Sequence, residues 1–320
     1  MYMNIFEYLG LNKDHRKSDK VTQFVKHYDE VSDKYKGKEF AGQVKMDGVC
    51  ALTAIQDGVV KIFSRTGKLF TNTALISNSI SSLRLPNGVY MGELCCSFVS
   101  LEVLSGVVNP NRVNPLSHEN SKIPAYLDMY FFDMISIKDF VYGKSDKPYS
   151  LRHEELDMAL NIMSYTIGGN YIKVLPITPL TDSYKVQNFT DLHVDAGEEG
   201  VVFRDPSAGW EAGHKGWRVM KKVKGVDYDL FCVGLEEGTG KYLGKVANLI
   251  FSWKDGKQIK CMLGKGWTHA MAEDMWNRRM DLDTPIGKIF QVYALEESSK
   301  GKLRLPKVGE CRFDKEEPDV

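Results

Sequence analysis

The sequence predicts an α+β protein of two domains, the second a small β-barrel. Three observations carry this. At roughly 150 residues per domain, 320 residues make about two domains. The first two-thirds mixes strand-like alternation with helical spacing. Beyond residue 225 short strand-like runs dominate, with room for one helix. The boundary is expected near Gly225, in KVKGVDYD, giving domains of residues 1–225 and 226–320.

The elements follow in order. Over 19–35, Val21, Phe24, Val25, Tyr28, Val31 and Tyr35 recur at helical spacing, with Ser18 or Asp19 as caps. From 40 to 70 the pattern turns to strands: Val49, Ala51, Thr53 and Ile55 alternate, Asp57-Gly58 is a hairpin turn, and Val59, Ile62 and Phe63 return. Residues 86–100 and 125–135 are further aromatic-rich strands. A helix follows Pro148, capped by Ser150, with Leu156, Ala159, Leu160 and Met163 on one face. Another runs from Ser183 to Ala196, with Val186, Phe189 and His193 inward, and stops at Gly197. The second domain has strands over 228–235, 246–253, 258–263, 288–295 and 302–313. Asp255-Gly256 is its hairpin turn, and a helix lies between Thr268 and Met280.

Composition narrows the function. The chain is 43% hydrophobic and 26% charged, with 42 basic and 42 acidic residues and a net charge of zero. Zero net charge disfavours a protein that coats nucleic acid without specificity, though a local basic face remains open. Residues 215–265 hold such an excess, eleven basic against five acidic side chains. Lys241 and Lys245 sit there in a Gly-rich loop suited to phosphate contacts. No apolar run approaches the ~18 residues of a membrane span, and MYMNIFEYLGLNKDHRK lacks a secretory signal. Six scattered cysteines without CxxC spacing fit a reducing cytoplasm better than disulfides or zinc.

Five pieces carry chemistry. Lys45 lies in GQVKMDGVCA, which alone reads as a turn with a surface lysine. Glu93 interrupts the apolar run VYMGELCCS. MYFFDMI (129–135) sets aromatics before Asp133, usually a sign of core packing. In EEGVVFRDP (198–206), Glu199 leads into a buried-looking strand. In GWRVMKKVK (216–224), Lys222 and Lys224 alternate by two and share a strand face, where an anion between them would offset their repulsion.

The order and spacing of these pieces resemble the covalent nucleotidyltransferases: DNA ligases, RNA ligases and messenger-RNA capping enzymes. EGTGKYLGK (237–245) and CRFDK (311–315) are similar to the oligonucleotide-binding (OB) fold domain of ATP-dependent DNA ligases, whose last motif is Arg-x-Asp-Lys, here Arg312, Asp314 and Lys315. GHKGWRVMKKVK resembles the short bacteriophage enzymes, and the similarity spans residues 40 to 315. It implies a nucleotidyltransferase (adenylation) domain with antiparallel sheets and flanking helices, followed by an OB-fold barrel.

The resemblance also implies roles. Lys45 would attack the α-phosphate of ATP. A free lysine, with a pKa near ~10.4, needs nearby positive charge or burial to become nucleophilic, and Lys222, Lys224 and a bound Mg²⁺ would supply charge. Phe132 would stack on adenine, and Gln43 would read its edge. Glu93 would hold the ribose or a metal, and Glu199 would bind Mg²⁺. Arg65, in FSRTGK, would contact the ribose and the DNA 5′-phosphate. Asp47 would organise the 3′-OH. Arg312 and Lys315 would close over the β- and γ-phosphates.

The expected activity is a nick-sealing DNA ligase working through lysyl-AMP and DNA-adenylate. It would be a cytoplasmic monomer (in a host cytoplasm if viral) serving repair, replication and recombination. No further DNA-binding domain is expected within the first 40 residues, and Gly225 is a candidate hinge. One departure stands out: the ligase pattern has Arg five positions after the lysine, and this chain has Cys50. RNA ligase and capping guanylyltransferase are the alternative enzymes, and a binding module without catalysis is the alternative of another class.

Overall fold

The computed structural model describes residues 3–10, 20–35, 39–160, 165–167, 169–295, 297 and 301–320. The chain divides into two compact units, Met1–Val223 and Lys224–Val320.

In chain order the first unit holds α1 (Ile5–Tyr8), β1 (Phe24–His27), β2 (Phe40–Val44), β3 (Val49–Gln56), β4 (Val59–Ser64), α2 (Ala74–Ser82), β5 (Gly88–Cys95), α3 (Leu101–Val107), β6 (Asp128–Ile135) and α4 (Ile137–Tyr142). It continues with β7 (Lys144–Ser145), α5 (Tyr149–Ala159), β8 (Tyr165–Ile167), β9 (Asn170–Val174), β10 (Thr178–Leu180), α6 (Ser183–Asp195), β11 (Gly200–Arg204), β12 (Trp210–Glu211) and β13 (Lys215–Val223). Two sheets dominate. One has five strands in the order β1-β13-β11-β2-β10, and the other six, in the order β4-β3-β5-β6-β9-β8.

Alternation along the strands sorts side chains between cores. On β3, Ala51 and Ile55 enter one cluster with α2, α3 and α5 residues. Leu52 and Ala54 enter another with Ile5, Phe140 and Trp210. The five-stranded sheet buries Phe40, Val201, Phe203 and Met220 against Tyr28, Leu180 and Val186.

A bulge breaks this alternation on β6. Met91 faces Asp133, but Gly92 faces Phe131, so Phe132 has no partner on β5. The extra residue switches faces: Met129 and Phe131 point into the first cluster, Phe132 and Ile135 into the second. Gly92 permits the close approach, because a Cβ there would meet Tyr130 O and Met129 Sδ, each at 2.9 Å.

The second unit is a closed barrel of β14 (Val226–Glu237), β15 (Val246–Trp253), β16 (Lys257–Leu263), β17 (Ile289–Ala294) and β18 (Lys307–Cys311), with α7 (His269–Asn277) between β16 and β17. Leu230, Leu249, Phe251, Cys261, Val292 and Val308 fill it.

Both hairpin turns form where Asp-Gly predicts them, with positive φ at Asp57 and Gly58 and again at Asp255 and Gly256. Three expectations are corrected. Residues 24–35 are not a helix: Phe24–His27 pairs in parallel with β13, and short 3-10 turns follow at Tyr28–Glu30 and Asp33–Tyr35. The apolar residues are still buried at Val21, Tyr28 and Val31, but ladder bonds to β13 win over local helical spacing; Ser18 and Asp19 lie outside the described residues. Ser150 does not cap α5. Pro148 holds the N-cap position, and the first amides bond to the 206–208 loop, Tyr149 N–H to Ala208 O and Ser150 N–H to Pro206 O. Leu156 and Leu160 face the core as expected, and Met163 lies outside the described residues. The strand expected over 86–100 ends at Cys95, and Ser100 caps α3.

Gly92→Ala is expected to destabilise the protein by about 1–3 kcal/mol, because the Met129 side chain can swing aside but the Tyr130 carbonyl is backbone and would have to shift. Denaturant midpoints of the two proteins check this, and an unchanged midpoint would mean that the bulge tolerates a methyl group.

Candidate functional site

The site begins where β2 and β11 part. Val201 pairs with Val44, and the last rung is Lys45 N–H to Gly200 O at 2.8 Å. Glu199, just before β11, therefore arrives beside Lys45, and the two side chains form an ion pair with 23% and 22% of their surfaces exposed. Gly200 makes this possible: its φ is +145°, and a Cβ would lie 2.3 Å from Lys222 O.

The opposing wall is the face of the six-stranded sheet that carries Leu52, Ala54, Val89 and Met91. At its polar end that face presents Cys50, Glu93 and Phe132. Cys50 and Glu93 sit opposite each other on β3 and β5. Burial pushes the Glu93 carboxyl up to about 7; Lys45 and Arg65 oppose the shift, while Glu199 and Asp47 add to it. These five side chains therefore share one electrostatic environment. Asp47 and Arg65 are its exposed members. Gly48 packs under the site, where a Cβ would meet Leu94 O at 2.6 Å. Cys50 gains a physical reading here. Burial, then Glu93, push its thiol up to about 12, so it stands neutral where an arginine would compensate the carboxylate.

Behind Lys45 lies a buried polar layer. Gln43 Nε2 donates to Leu175 O at 2.8 Å and lies 3.3 Å from His153 Nε2. Its Oε1 accepts from Arg204 and lies 3.1 Å from the Tyr149 hydroxyl, which is also 2.9 Å from Phe132 O. Gln43 is thus 1% exposed, and its carboxamide bonds within the protein rather than facing the cleft, as the expected reading of a base would have it do. What it positions is Arg204, whose guanidinium lies over the Phe132 ring, 4.5 Å from the centroid. Sequence reading missed Arg204, which closes EEGVVFR on the same strand face as Val202, opposite Gln43. It also missed the partner of Asp133: a buried pair with Arg152, Nε–Oδ1 2.8 Å and Nη2–Oδ2 2.9 Å, fixes the strand that carries Phe132.

Lys222 is not brought to Lys45. It pairs with Val201, whose side chain faces α6, and directly paired residues share a face. Its ammonium accordingly bonds to Gln187 Oε1 on α6 and lies 5.8 Å from the Tyr28 ring centroid. Lys224 is exposed and belongs to the second unit.

Within that unit, Lys241 lies over the Tyr242 ring at 5.0 Å, and Lys245 pairs with Glu273 at 2.6 Å. The basic excess of the 215–265 window is reduced by acids from outside it: Glu273, Glu297 on Lys254, and Glu211 on Arg218. Exposed pairs of this kind are worth little and exchange readily. Arg312 and Lys315 both bind Asp229.

Among the described residues, no helix is long and apolar enough to cross a membrane, and no group of three or more His, Cys, Asp or Glu side chains is placed to hold a metal.

A family model of the ATP dependent DNA ligase domain matches residues 20–224, and one of the DNA ligase OB-like domain matches 237–312. A "Probable DNA ligase" of Mycolicibacterium gilvum is 32% identical over 139 residues, 42% of this chain and 25% of that protein. A "DNA ligase" of Nitrosopumilus maritimus is 22% identical over 248 residues, 72% of this chain and 40% of that protein. The chain thus spans less than half the length of these curated relatives. Among solved structures, "Pmar-Lig_PreS3" aligns with a TM-score of 0.68 at 22% identity, covering 91% of this chain and 67% of that one. The ATP-dependent DNA ligase from bacteriophage T7 aligns at 0.55 and 16%, covering 91% and 98%. Both share the fold.

The Glu93 carboxyl titrates above its ordinary value of 4.5, at about 7. Its contribution to stability is therefore full below pH 4.5 and lost as the pH rises through 7. Without divalent cations, Glu93→Gln is expected to gain on the parent over that window, by at most about 3 kcal/mol. Parallel denaturant titrations at pH 5 and pH 8 measure this, and an equal difference at both would place the Glu93 titration elsewhere.

Proposed function

Because the chain belongs to the ATP-dependent DNA ligase family, matching its domain model over residues 20–224, we propose that it seals nicks in duplex DNA by passing AMP from ATP through Lys45 to a DNA 5′-phosphate. The observation that carries this reading is the Lys45–Glu199 pair at the mouth of a cleft whose other wall is Glu93 and Phe132. An amine, two carboxylates and an aromatic face are what transfer of a nucleotidyl group to nitrogen needs.

In the first step the Lys45 Nζ lone pair attacks the α-phosphorus. A P–N bond forms, the P–O bond to pyrophosphate breaks, and a proton leaves the amine, for which Glu199 is the adjacent acceptor. Phe132 supports the adenine, and Arg204 presents guanidinium donors beside the same ring. Arg65 meets the ribose and then the 5′-phosphate, which displaces Lys45 from AMP. Asp47 orients the 3′-OH, which attacks the 5′-phosphorus and expels AMP. Lys224 adds positive charge for the transferring phosphoryl group, Arg312 and Lys315 serve the β- and γ-phosphates, and Lys241 and Lys245 meet the DNA backbone.

Glu93 and Glu199 fit a magnesium ion. They are hard oxygen donors close enough for one charge to raise the other's pKa, and Mg²⁺ commonly takes one or two carboxylates with phosphate oxygens and water. Bound there, Mg²⁺ neutralises charge on the transferring phosphate.

The setting proposed is a cytoplasmic monomer acting in DNA repair and replication, in a bacteriophage-infected host if the chain is viral. All six cysteines are free thiols, in keeping with a reducing compartment.

The test is the intact mass after incubation with Mg²⁺ and, separately, ATP, GTP or NAD⁺, on protein first stripped with pyrophosphate. One AMP from ATP alone, absent in Lys45→Ala, is the expected result, followed by sealing of a nicked DNA duplex. A GMP adduct would move the chain to the capping reaction, and sealing of RNA alone to the RNA ligases. No adduct would leave a binding module.

A further inference from the structure

The cations assigned to the ATP phosphates, Arg312 and Lys315, meet on one oxygen atom. Asp229 Oδ2 accepts from Arg312 Nη1 at 2.8 Å and from Lys315 Nζ at 2.5 Å. Asp229 lies on β14, in register with Gln291, with only 6% of its side chain exposed. The remaining partners differ in kind. Asp314 grips Arg312 through Nε at 2.9 Å and Nη2 at 2.7 Å, yet is 67% exposed. Asp319 takes Lys315 at 3.3 Å and is 40% exposed. Asp319 is also tied to Asp229 through the backbone: Asp229 N–H donates to Asp319 Oδ2 at 2.7 Å, and Asp319 N–H to Asp229 O at 2.8 Å.

Three carboxylates thus face two cations, and no phosphate can engage until one of them yields. Exposed pairs are cheap to break, whereas a buried carboxylate that loses its cations is left uncompensated. We propose that Asp229 is a positioning residue: it keeps Arg312 and Lys315 together as one unit while phosphate oxygens displace Asp314 and Asp319. This rests on the reading, given above, that the two cations act on the β- and γ-phosphates.

The test separates two reactions of the same protein: single-turnover formation of lysyl-AMP, and sealing of a pre-adenylylated nick. Asp229→Asn keeps the shape and removes the charge. It is expected to slow lysyl-AMP formation roughly tenfold to hundredfold and to spare sealing, which also reports that the barrel is folded. Asp319→Asn is expected to act oppositely and lower the KM for ATP. Adding Asp229→Asn to Arg312→Ala with Lys315→Ala should cost nothing further. Equal loss of both reactions in Asp229→Asn, or loss of neither, overturns the positioning role. If Arg312→Ala with Lys315→Ala itself leaves lysyl-AMP formation intact, the phosphate reading fails first and the positioning role falls with it.

Discussion

The site depends on the antiparallel pairing of β2 with β11. Four Cα pairs, from Ala41–Arg204 to Val44–Val201, set the register, and the Lys45–Gly200 hydrogen bond ends it. A slip of one residue would turn Lys45 and Gln43 to the α6 face. It would also separate Lys45 from Glu199. The register holds because Phe40, Val201 and Phe203 share a core on one side, while Gln43 and Arg204 are joined on the other. The ion pair at the mouth is weak by itself; the two sheets' packing makes it recur at one place.

The facing sheet contributes by an irregularity. A regular β6 would keep Phe132 on the face opposite Met129's neighbours and leave Ile135 in the wrong core. The bulge brings Ile135 onto the same face as Phe132, so both reach the second core while Met129 and Phe131 stay in the first. Glu93, next to the bulge, then faces Cys50 rather than a cation. Its carboxyl is held near neutral pH by burial and by two neighbouring acids. Cys50, which departs from the ligase pattern, is thus tied to the charge state of a candidate metal ligand. A divalent cation would bring the compensation that the thiol cannot.

Sequence patterns reached the elements whose causes are local. Asp-Gly turns, the Val246–Trp253 strand and the helix that ends before Gly197 follow from nearest-neighbour chemistry. The order of charged residues pointed to Lys45, Glu93 and Glu199, and the structure brings these three side chains near one another. What was not legible depends on partners far along the chain. Arg204 and Gln43 are separated by 161 positions, and Arg312 and Asp229 by 83. The helical reading of residues 24–35 failed for the same reason, since spacing does not reveal a parallel partner on β13. Lys222 departs from expectation by register: it pairs with Val201, which faces α6, and Lys224 lies beyond the end of β13.

A common feature links the two units. Lys45, Arg312 and Lys315 are each engaged by a carboxylate. Cations left bare in a cleft would be held apart by repulsion and would bind any anion. Pairing them with carboxylates keeps their positions at little cost, provided the partners can be displaced. The distinction that matters for function is therefore burial. Glu199, Asp314 and Asp319 are partly exposed and can exchange for phosphate. Asp229 and Asp133 are buried, and they hold cations that must not wander. The proposed reaction, a polyanionic nucleotide followed by a polyanionic duplex, would need both kinds: fixed pairs to keep shape and exposed pairs to trade.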